Sequence, residues 1–321
     1  MDWGTISGYG DSNWDTTAGL DRLIPVRRLI VNADDFGLTD GINRAIIQLH
    51  QMGALHSTTL MAAALHFPEA VKMSRLQSSL GVGCHIVLVD GSPVANSAAI
   101  PTLLSSRRDR GGEARFRSTL GEFVRDLYLG RIDRAHIEQE AIAQILRLRQ
   151  AGIAVTHLDT HKHTHMFPPV LDAVMRAAKA CDIHAIRNPF EPLWSVAATP
   201  NAGMVRTWQV RLLGNLRRHF LRRAREREFA TTDGCLGVAA TGTLDETTLH
   251  ALLDRLPEGT WELVCHPACL DAELLATRTR LQQSRQVELN ALQTLPAMLA
   301  NSGSPIETIH FGQLLPSARS A

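Results

Sequence analysis

Segments that read as buried β-strands alternate along this chain with segments whose apolar residues recur at helical spacing. The strand-like segments are residues 28–32, 57–61, 81–88, 155–159, 185–187, 236–238, 261–265 and 306–310. Helices are predicted between them at 39–53, 68–76, 119–150 with a break near Gly130, and 168–180. This alternation is typical of a parallel α/β sheet, and the number of strands favours an irregular (β/α) TIM-like barrel.

The size of the chain supports one large domain. Its 321 residues are 45% apolar, enough for a single sizeable core, which we assign to residues 27–315. Residues 1–26 are predicted to be a flexible extension, because they are polar and lack the basic start and apolar centre of a secretory signal. Residues 90–117 are predicted to form a long loop. The apolar runs fall short of the roughly 18 residues that a membrane span needs, so none is expected.

Charge and cysteine content argue against two classes of protein. The 33 basic and 32 acidic residues give a net charge of +1, so the chain lacks the basic excess typical of nucleic-acid-binding proteins. The five cysteines are scattered without a Cys-X-X-Cys pair, which indicates a reduced, cytoplasmic protein rather than a disulfide framework. Cys84 precedes His85 and Cys265 precedes His266, two histidines considered below. We interpret both cysteines as small buried side chains.

A histidine-rich run follows the fourth strand. Asp159, His161, His163 and His165 alternate there, so an extended chain would point all four to one face. Histidine is the commonest protein ligand of metal ions, because its neutral ring nitrogen binds at ordinary pH. A polar surface loop that happens to be rich in histidine is the alternative. The position of the run, between a strand and a helix, favours a functional site.

Reactive side chains lie near the ends of several other predicted strands, where a barrel would bring them to one rim. The first strand is followed by Asp34 and Asp35, the third contains His85, the fifth ends at Arg187, and the seventh is followed by His266. Each has an ordinary structural alternative. The aspartates could form a tight turn, and His85 could be a core histidine with its hydrogen bonds satisfied. Arg187 could form a surface ion pair, and His266 could lie in a turn that ends the strand. Their joint placement is hard to explain by packing alone.

The residue types suggest metal-assisted hydrolysis. One carboxylate and two imidazoles form a common open site for a divalent ion, which leaves a position for water and substrate. A second carboxylate beside the first is well placed to act as a general base. Glycosidase chemistry would instead require two carboxylates flanking a sugar bond, without a metal. The histidine-rich site argues against that alternative.

Four separated motifs resemble those of the YdjC-like carbohydrate deacetylases, in the same order. They are Val31-Asn-Ala-Asp-Asp-Phe-Gly37, Gly83-Cys-His85, the run from Thr156 to Pro168, and Cys265-His266-Pro267. The resemblance covers residues 27–310 and implies a barrel of the glycoside hydrolase/deacetylase type. The stretch from Val87 to Val94 is similar to the hopanoid-biosynthesis-associated subgroup, often called HpnK.

The resemblance implies a role for each matching residue. Asp35, His85 and His161 match the ligands of one divalent metal ion. Asp34 matches the catalytic base, and His266 matches a general acid or a group that stabilises the oxyanion. The family is described with Mg, whereas two imidazoles favour a softer ion such as Zn. Further groups expected to orient these residues or to contact the substrate are Asp159, His163, His165, Arg187 and Asp233.

The implied reaction is hydrolysis of the N-acetyl group of an acetylated amino sugar. The substrate is expected to be an N-acetylglucosaminyl hopanoid lipid, and soluble chito-oligosaccharides are the alternative. A non-catalytic barrel that binds a metal ion or a sugar is a rival of another class. Retention of both Asp34 and Asp35 argues against this rival, because binding the ion needs only one of them. A homodimer is compatible with the sequence.

A basic helix is predicted at residues 204–228, with eight arginines and two acidic residues. Its apolar residues line one side: Val205, Trp208, Leu212, Leu216 and Phe220. One interpretation is peripheral contact with the anionic inner face of a membrane, which suits a lipid-linked sugar. The other, slightly favoured, is a helix packed in the core with a solvated basic face. The following segment, residues 231–237 with Asp233, is expected to wall the pocket.

Overall fold

Helices and parallel strands alternate in the computed structural model, which describes residues 26–106, 112–200, 214–277 and 279–314. The predicted N-terminal extension, apart from Val26, lies outside the described residues, as do residues 204–213 of the predicted basic helix. The parallel α/β architecture predicted from the sequence is confirmed.

Seven parallel strands form one sheet within the described chain. Their spatial order is β4-β3-β2-β1-β6-β5, and β7 pairs with the start of β1. Most strand residues are buried, as in a parallel sheet that helices cover. The strands are β1 (Arg27–Phe36), β2 (Ser57–Leu60), β3 (Gly81–Ile86), β4 (Val155–Thr160), β5 (Gly234–Leu236), β6 (Gly259–Cys265) and β7 (Ile306–Thr308).

The sheet curls into a barrel-like shape. Beyond β4, single bridges join Leu158 to Ile186 and Ala185 to Ala230, and the chain after Ala230 leads into β5. Because all strands run parallel, their carboxyl ends meet at one rim. The register places Ala33 of β1 beside Cys265, the last residue of β6, so the end of β1 lies beside the start of the loop that follows β6.

The helices largely follow the predicted ones. Thr39 caps α1 by accepting a hydrogen bond from Ile42 N at 3.3 Å, and Gly130, at φ 69°, separates α3 from α4. Short 3₁₀ turns occur at Pro101–Leu103, His161–Met166, Gly214–Leu216 and Phe311–Gln313. The helices are α1 (Asp40–Gln51), α2 (Phe67–Arg75), α3 (Leu120–Tyr128), α4 (Arg134–Gln150), α5 (Pro168–Ala180), α6 (Leu193–Ala198), α7 (Arg217–Glu226), α8 (Glu246–Asp254), α9 (Ala272–Ala276), α10 (Gln283–Gln293) and α11 (Leu295–Ala300).

Several strand boundaries differ from the predicted ones. The third strand ends at Ile86 rather than at residue 88, because the side-chain amide of Gln144 bonds both N and O of Val87 and takes the place of a neighbouring strand. The segment 185–187 forms only single bridges. The sixth predicted strand lies at Gly234–Leu236 instead of 236–238, and the last ends at Thr308.

The described part of the basic helix, α7, packs against the body of the protein. Phe220 and Ala224 are buried, and Arg223 and Arg227 bind the carboxylate of Asp172 on α5. The apolar side of α7 therefore faces inward. None of the helices in the described ranges is both long and apolar enough to cross a bilayer.

Candidate active site

An irregularity at the end of β1 turns two consecutive carboxylates in different directions. The pairing of β1 with β2 shifts register between Ala33 and Phe36, and Asp35 has a φ of 65°. A left-handed backbone is strained for a residue with a Cβ, and such strain is concentrated at functional sites. As a result, Asp34 faces Arg187 while Asp35 faces Arg285.

Asp35, His85 and His161 come together in a triad. Oδ1 of Asp35 lies 3.6 Å from Nε2 of His85 and 3.4 Å from Nδ1 of His161, and the two ring nitrogens are 3.3 Å apart. These ligand atoms all lie within 4.8 Å of one another, as a bound metal ion requires. Asp35 and His85 are buried, whereas 20% of the His161 side chain is exposed. The triad is therefore consistent with a divalent metal ion that solvent can reach.

Asp159 fixes the orientation of the His85 ring. Its carboxylate oxygens lie 2.8 and 2.9 Å from Nδ1 of His85. Nε2 of His85 therefore faces Asp35 and His161. Burial alone would lower the pKa of His85, but the carboxylates of Asp159 and Asp34 outweigh burial and raise the pKa to about 9. A carboxylate behind a ligand histidine is the usual way of fixing its ring and its tautomer.

Arg187 is a completely buried cation that joins three carboxylates. It donates two hydrogen bonds to Asp34, at 2.7 and 2.8 Å, one to Glu262 at 2.7 Å, and it also pairs with Asp159. Burial raises the pKa of Asp34, but the Arg187 charge outweighs burial and holds that pKa well below its usual range. The surface-pair interpretation of Arg187 is therefore wrong. Asp34, His85 and Asp159 also converge, but the guanidinium already supplies positive charge there.

His266 lies beside Asp34 on the loop that follows β6. Its Nε2 is 3.9 Å from Oδ2 of Asp34, and its Nδ1 is 3.9 Å from Oε2 of Glu288. The backbone N of His266 donates to Glu288 at 2.6 Å, which holds this part of the loop. Within the described residues Nδ1 itself makes no hydrogen bond. The ring is therefore placed by its backbone and stands next to an ionised carboxylate.

A comparison with protein families identifies the chain. The profile of the family described as YdjC-like protein matches residues 28–298. The chain belongs to the YdjC-like family. A relative from Geobacillus stearothermophilus, named carbohydrate deacetylase, is 30% identical over 85% of this chain and 92% of its own length. A second, of the same name, from Thermoanaerobacter pseudethanolicus is 29% identical over 78% of this chain and 84% of its own length.

Another relative matches over a shorter stretch. A carbohydrate deacetylase from Brevibacillus brevis is 38% identical, but the match spans 47% of this chain and 56% of that relative. Among solved structures, a candidate cellobiose-phosphate cleavage protein from Enterococcus faecalis superimposes with a TM-score of 0.68 at 22% identity. It covers 91% of this chain and 100% of its own, and it supports the fold assigned above.

The histidine-rich run of this YdjC-like chain does not continue as an extended strand. The prediction that an extended chain points these side chains to one face is wrong beyond Thr160. Lys162 and His163 adopt left-handed backbone angles there, and residues 161–166 form a 3₁₀ turn. The His165 ring is buried. Its Nδ1 lies 2.7 Å from Oγ1 of Thr160, and its Nε2 lies 3.1 Å from the backbone O of Arg187. Burial lowers the pKa of His165 to about 4 and that of His163 to about 3. His165 therefore links the Thr160 side chain to the backbone of Arg187 from a buried position.

Asp233 does not lie with the other residues proposed for the site. Its side chain is exposed and accepts a hydrogen bond from Thr260 N at 2.8 Å, at the amino end of β6. The triad and His266 lie at the carboxyl ends of the strands, so the expectation that Asp233 walls the pocket is wrong. The segment 231–237 runs parallel to β6, so its carboxyl end is the end that approaches the rim.

Three buried charged residues at the site were not predicted. Glu262 lies in the apolar strand β6, and Arg285 and Glu288 lie one turn apart on α10. A charged residue inside an otherwise apolar strand is a signal that could have identified Glu262, because burying its carboxylate requires a partner. The sequence contains no comparable signal for Arg285, whose partner Asp35 is 250 residues away.

Proposed function

We propose that this chain is a metal-dependent carbohydrate deacetylase that hydrolyses the N-acetyl group of an amino sugar. The convergence of Asp35, His85 and His161, beside the ionised Asp34, is the observation that carries the proposal. The names of the curated relatives support the same reaction class. We assign the three converging residues as the metal ligands, Asp34 as the general base and His266 as the general acid.

The donor set fits a divalent ion. One carboxylate oxygen and two ring nitrogens form an open site that leaves room for water and substrate, and two imidazoles favour Zn over Mg. The ion would polarise the amide carbonyl and lower the pKa of a water molecule. Because the neighbouring carboxylates raise the pKa of His85 to about 9, an ion that binds at its Nε2 would have to compete with a proton.

The residues around the triad would handle the protons. Oδ2 of Asp34 can accept a proton from the attacking water, while Arg187 keeps the carboxylate ionised and in place. The low pKa of Asp34 makes it a weak base, so it suits a water that has already become more acidic. Nε2 of His266, 3.9 Å from the same oxygen, can pass a proton to the leaving nitrogen or stabilise the oxyanion.

A hopanoid lipid that carries N-acetylglucosamine is our proposed substrate. The similarity of residues 87–94 to the hopanoid-associated subgroup supports it, and so does the basic face of α7. Because α7 buries Phe220 and Ala224, contact with a membrane would be made through arginines rather than by insertion. The exposed arginines on this helix are Arg217, Arg218, Arg222 and Arg225.

Acetate release by the purified protein, with and without chelator, tests the proposal. Two substrates separate the alternatives: an N-acetylglucosaminyl hopanoid in detergent and diacetylchitobiose. Chelator-sensitive release from the lipid alone supports the whole proposal, whereas release from the soluble sugar alone replaces the lipid with chito-oligosaccharides. No release from either substrate, by protein shown to hold metal, favours the non-catalytic barrel.

Sedimentation with anionic vesicles tests the membrane contact separately. We expect salt-sensitive binding that is lost when Arg217, Arg218, Arg222 and Arg225 are changed to Glu together. Arg176→Glu, on α5, is the control for an exposed arginine elsewhere on the protein. Equal binding by the wild-type protein and the quadruple variant would remove the membrane from the proposal.

A further inference from the structure

Helix α10 places a buried arginine directly behind Asp35. Arg285 is 1% exposed, and its Nη2 donates to Oδ2 of Asp35. The same guanidinium donates through Nε to Leu281 O at 3.0 Å. A buried cation is retained only where its charge and its N–H groups are satisfied, and Arg285 meets both conditions at the candidate metal site.

The two oxygens of Asp35 therefore have different neighbours. Oδ1 faces the ring nitrogens of His85 and His161, at 3.6 and 3.4 Å, whereas Oδ2 is bound by Arg285. A carboxylate can bind a metal ion through one oxygen or through both. Here the second oxygen is already engaged by a cation that would repel the ion.

Arg285 also connects Asp35 to the loop that carries His266. Its Nη1 lies 3.5 Å from His266 O, and its own carbonyl accepts from Ala268 N at 3.2 Å. One side chain thus contacts the metal carboxylate and the backbone of the proposed general acid. This placement suits a residue that sets the geometry of both groups.

We propose that Arg285 is a positioning residue of the metal site, which holds Oδ2 of Asp35 so that the ion receives only Oδ1. The inference rests on the metal role proposed above for Asp35, His85 and His161. Binding through one oxygen keeps a coordination position open for water or substrate. The positive charge behind Asp35 also weakens its donation to the ion, so the ion remains a stronger Lewis acid.

The proposal predicts an unusual combination of effects for a neutral substitution. Without the guanidinium, Asp35 is a buried carboxylate that lacks its cation, and a metal ion becomes its best available partner. Loss of the repelling charge and access to a second oxygen both favour the bound ion. Metal affinity should therefore rise while turnover falls, whereas general damage to the site would lower both.

Cobalt titration of metal-free protein provides the test, because Co²⁺ reports its coordination through visible absorption. Loss of a group that only orients a metal ligand ordinarily weakens metal binding. For Arg285→Gln and Arg285→Met we instead expect the Co²⁺ dissociation constant to fall by about tenfold, which corresponds to about 1.4 kcal/mol, with a weaker absorption band as a ligand atom is added. We expect kcat to fall by about tenfold or more, with KM little changed. Arg285→Lys retains the charge and should bind Co²⁺ like the wild-type protein.

Arg176→Gln is the matched control, because it removes an arginine–carboxylate pair on the outer helices and should change neither affinity nor spectrum. Folded neutral variants that bind Co²⁺ no tighter than wild type, with the same spectrum, would overturn the proposal. If neither neutral variant folds, Arg285→Lys decides, and a tenfold loss of its affinity would contradict the role of charge. Absence of acetate release by the wild-type protein would count against the proposed reaction alone, because the cobalt comparison does not depend on turnover.

Discussion

At the scale of single residues, the site depends on how buried charges are matched. Arg187 faces Asp34, Asp159 and Glu262, so one cation has more carboxylate neighbours than it can neutralise. Burial raises the pKa of Glu262 to about 7, although Arg187 opposes this shift. Glu262 thus accommodates part of the excess negative charge by holding a proton more readily, while Asp34 stays ionised.

Substitutions at Asp34 and His161 should separate catalysis from metal binding. Asp34→Asn removes the proposed base but leaves the triad, so we expect metal content to persist while kcat falls by about 10²–10⁴-fold. His161→Ala removes a proposed metal ligand, so both metal and turnover should be lost. Metal analysis of the purified variants, alongside acetate release, measures the two effects. Equal loss of metal in both variants would contradict the assignment of Asp34 as base and Asp35 as ligand.

His157 should make the stability of the protein depend on pH. The His157 ring is completely buried and stacks on the Phe311 ring, with 3.9 Å between the ring centroids. Burial lowers the pKa of His157 to about 3. The unfolded chain takes up a proton near pH 6.5, which the folded chain does not, so stability is lost as the pH falls from about 6.5 towards 3. The loss from His157 alone should be about 2 kcal/mol at pH 5.

Urea unfolding of wild type and His157→Phe at pH 7 and pH 5 measures this contribution. Phe keeps an aromatic ring against Phe311 but cannot take up a proton. The pH-dependent loss of unfolding free energy should therefore be about 2 kcal/mol smaller in the variant. An equal loss in both proteins would show that His157 is protonated in the folded state.

At the scale of elements, the close approach of β3 and β4 brings His85 beside Asp159. The two strands pair in register at these residues, and Gly83 lies against the His157 ring. A Cβ at position 83 would be 2.6 Å from Nδ1 and 2.7 Å from Nε2 of that ring, which is closer than packing allows. Glycine at position 83 therefore permits the strand contact that positions a proposed metal ligand.

Gly83→Ala should therefore destabilise the protein by about 1–3 kcal/mol, as overpacking does. Gly121→Ala, at an exposed position of α3, is the control, because its Cβ meets nothing within 4 Å and alanine favours a helix. Chemical denaturation compares the two variants. Combining Gly83→Ala with His157→Ala should recover part of the loss, and failure to recover any would point to a cause other than the ring.

At the scale of the whole molecule, a metal ion at the triad would join elements that are far apart in sequence. Asp35 lies near the end of β1, His85 lies in β3 and His161 follows β4, so an ion bound to all three would stabilise only the folded chain. At a free Zn²⁺ concentration near 100 times the dissociation constant, the unfolding free energy should rise by about 2.7 kcal/mol.

Denaturant unfolding of metal-free protein with and without added Zn²⁺ measures this gain. His161→Ala provides the control, because its stability should respond little to the ion. A gain of the same size in that variant would place the stabilising ion elsewhere.

Sequence patterns predicted the architecture because they reflect local physics. Apolar segments with strand character located β1, β2, β4 and β6, and Thr39 and Gly130 marked helix boundaries that the structure has. A predicted strand end was wrong where a side chain distant in sequence bonds the backbone in place of a neighbouring strand, as Gln144 does at Val87. The backbone there bonds to a partner that local sequence cannot identify.

The parallel α/β fold and the gathering of Asp34, Asp35, His85, His161 and His266 at one rim could be predicted from the sequence, because the carboxyl ends of parallel strands lie at the same edge of a sheet. Which buried charges neutralise one another depends on the folded chain. It placed Arg187 against Asp34 and Arg285 against Asp35, and it moved Asp233 to the opposite end of the sheet. These pairings join segments up to 250 residues apart, and the burial that makes them necessary exists only in the folded chain.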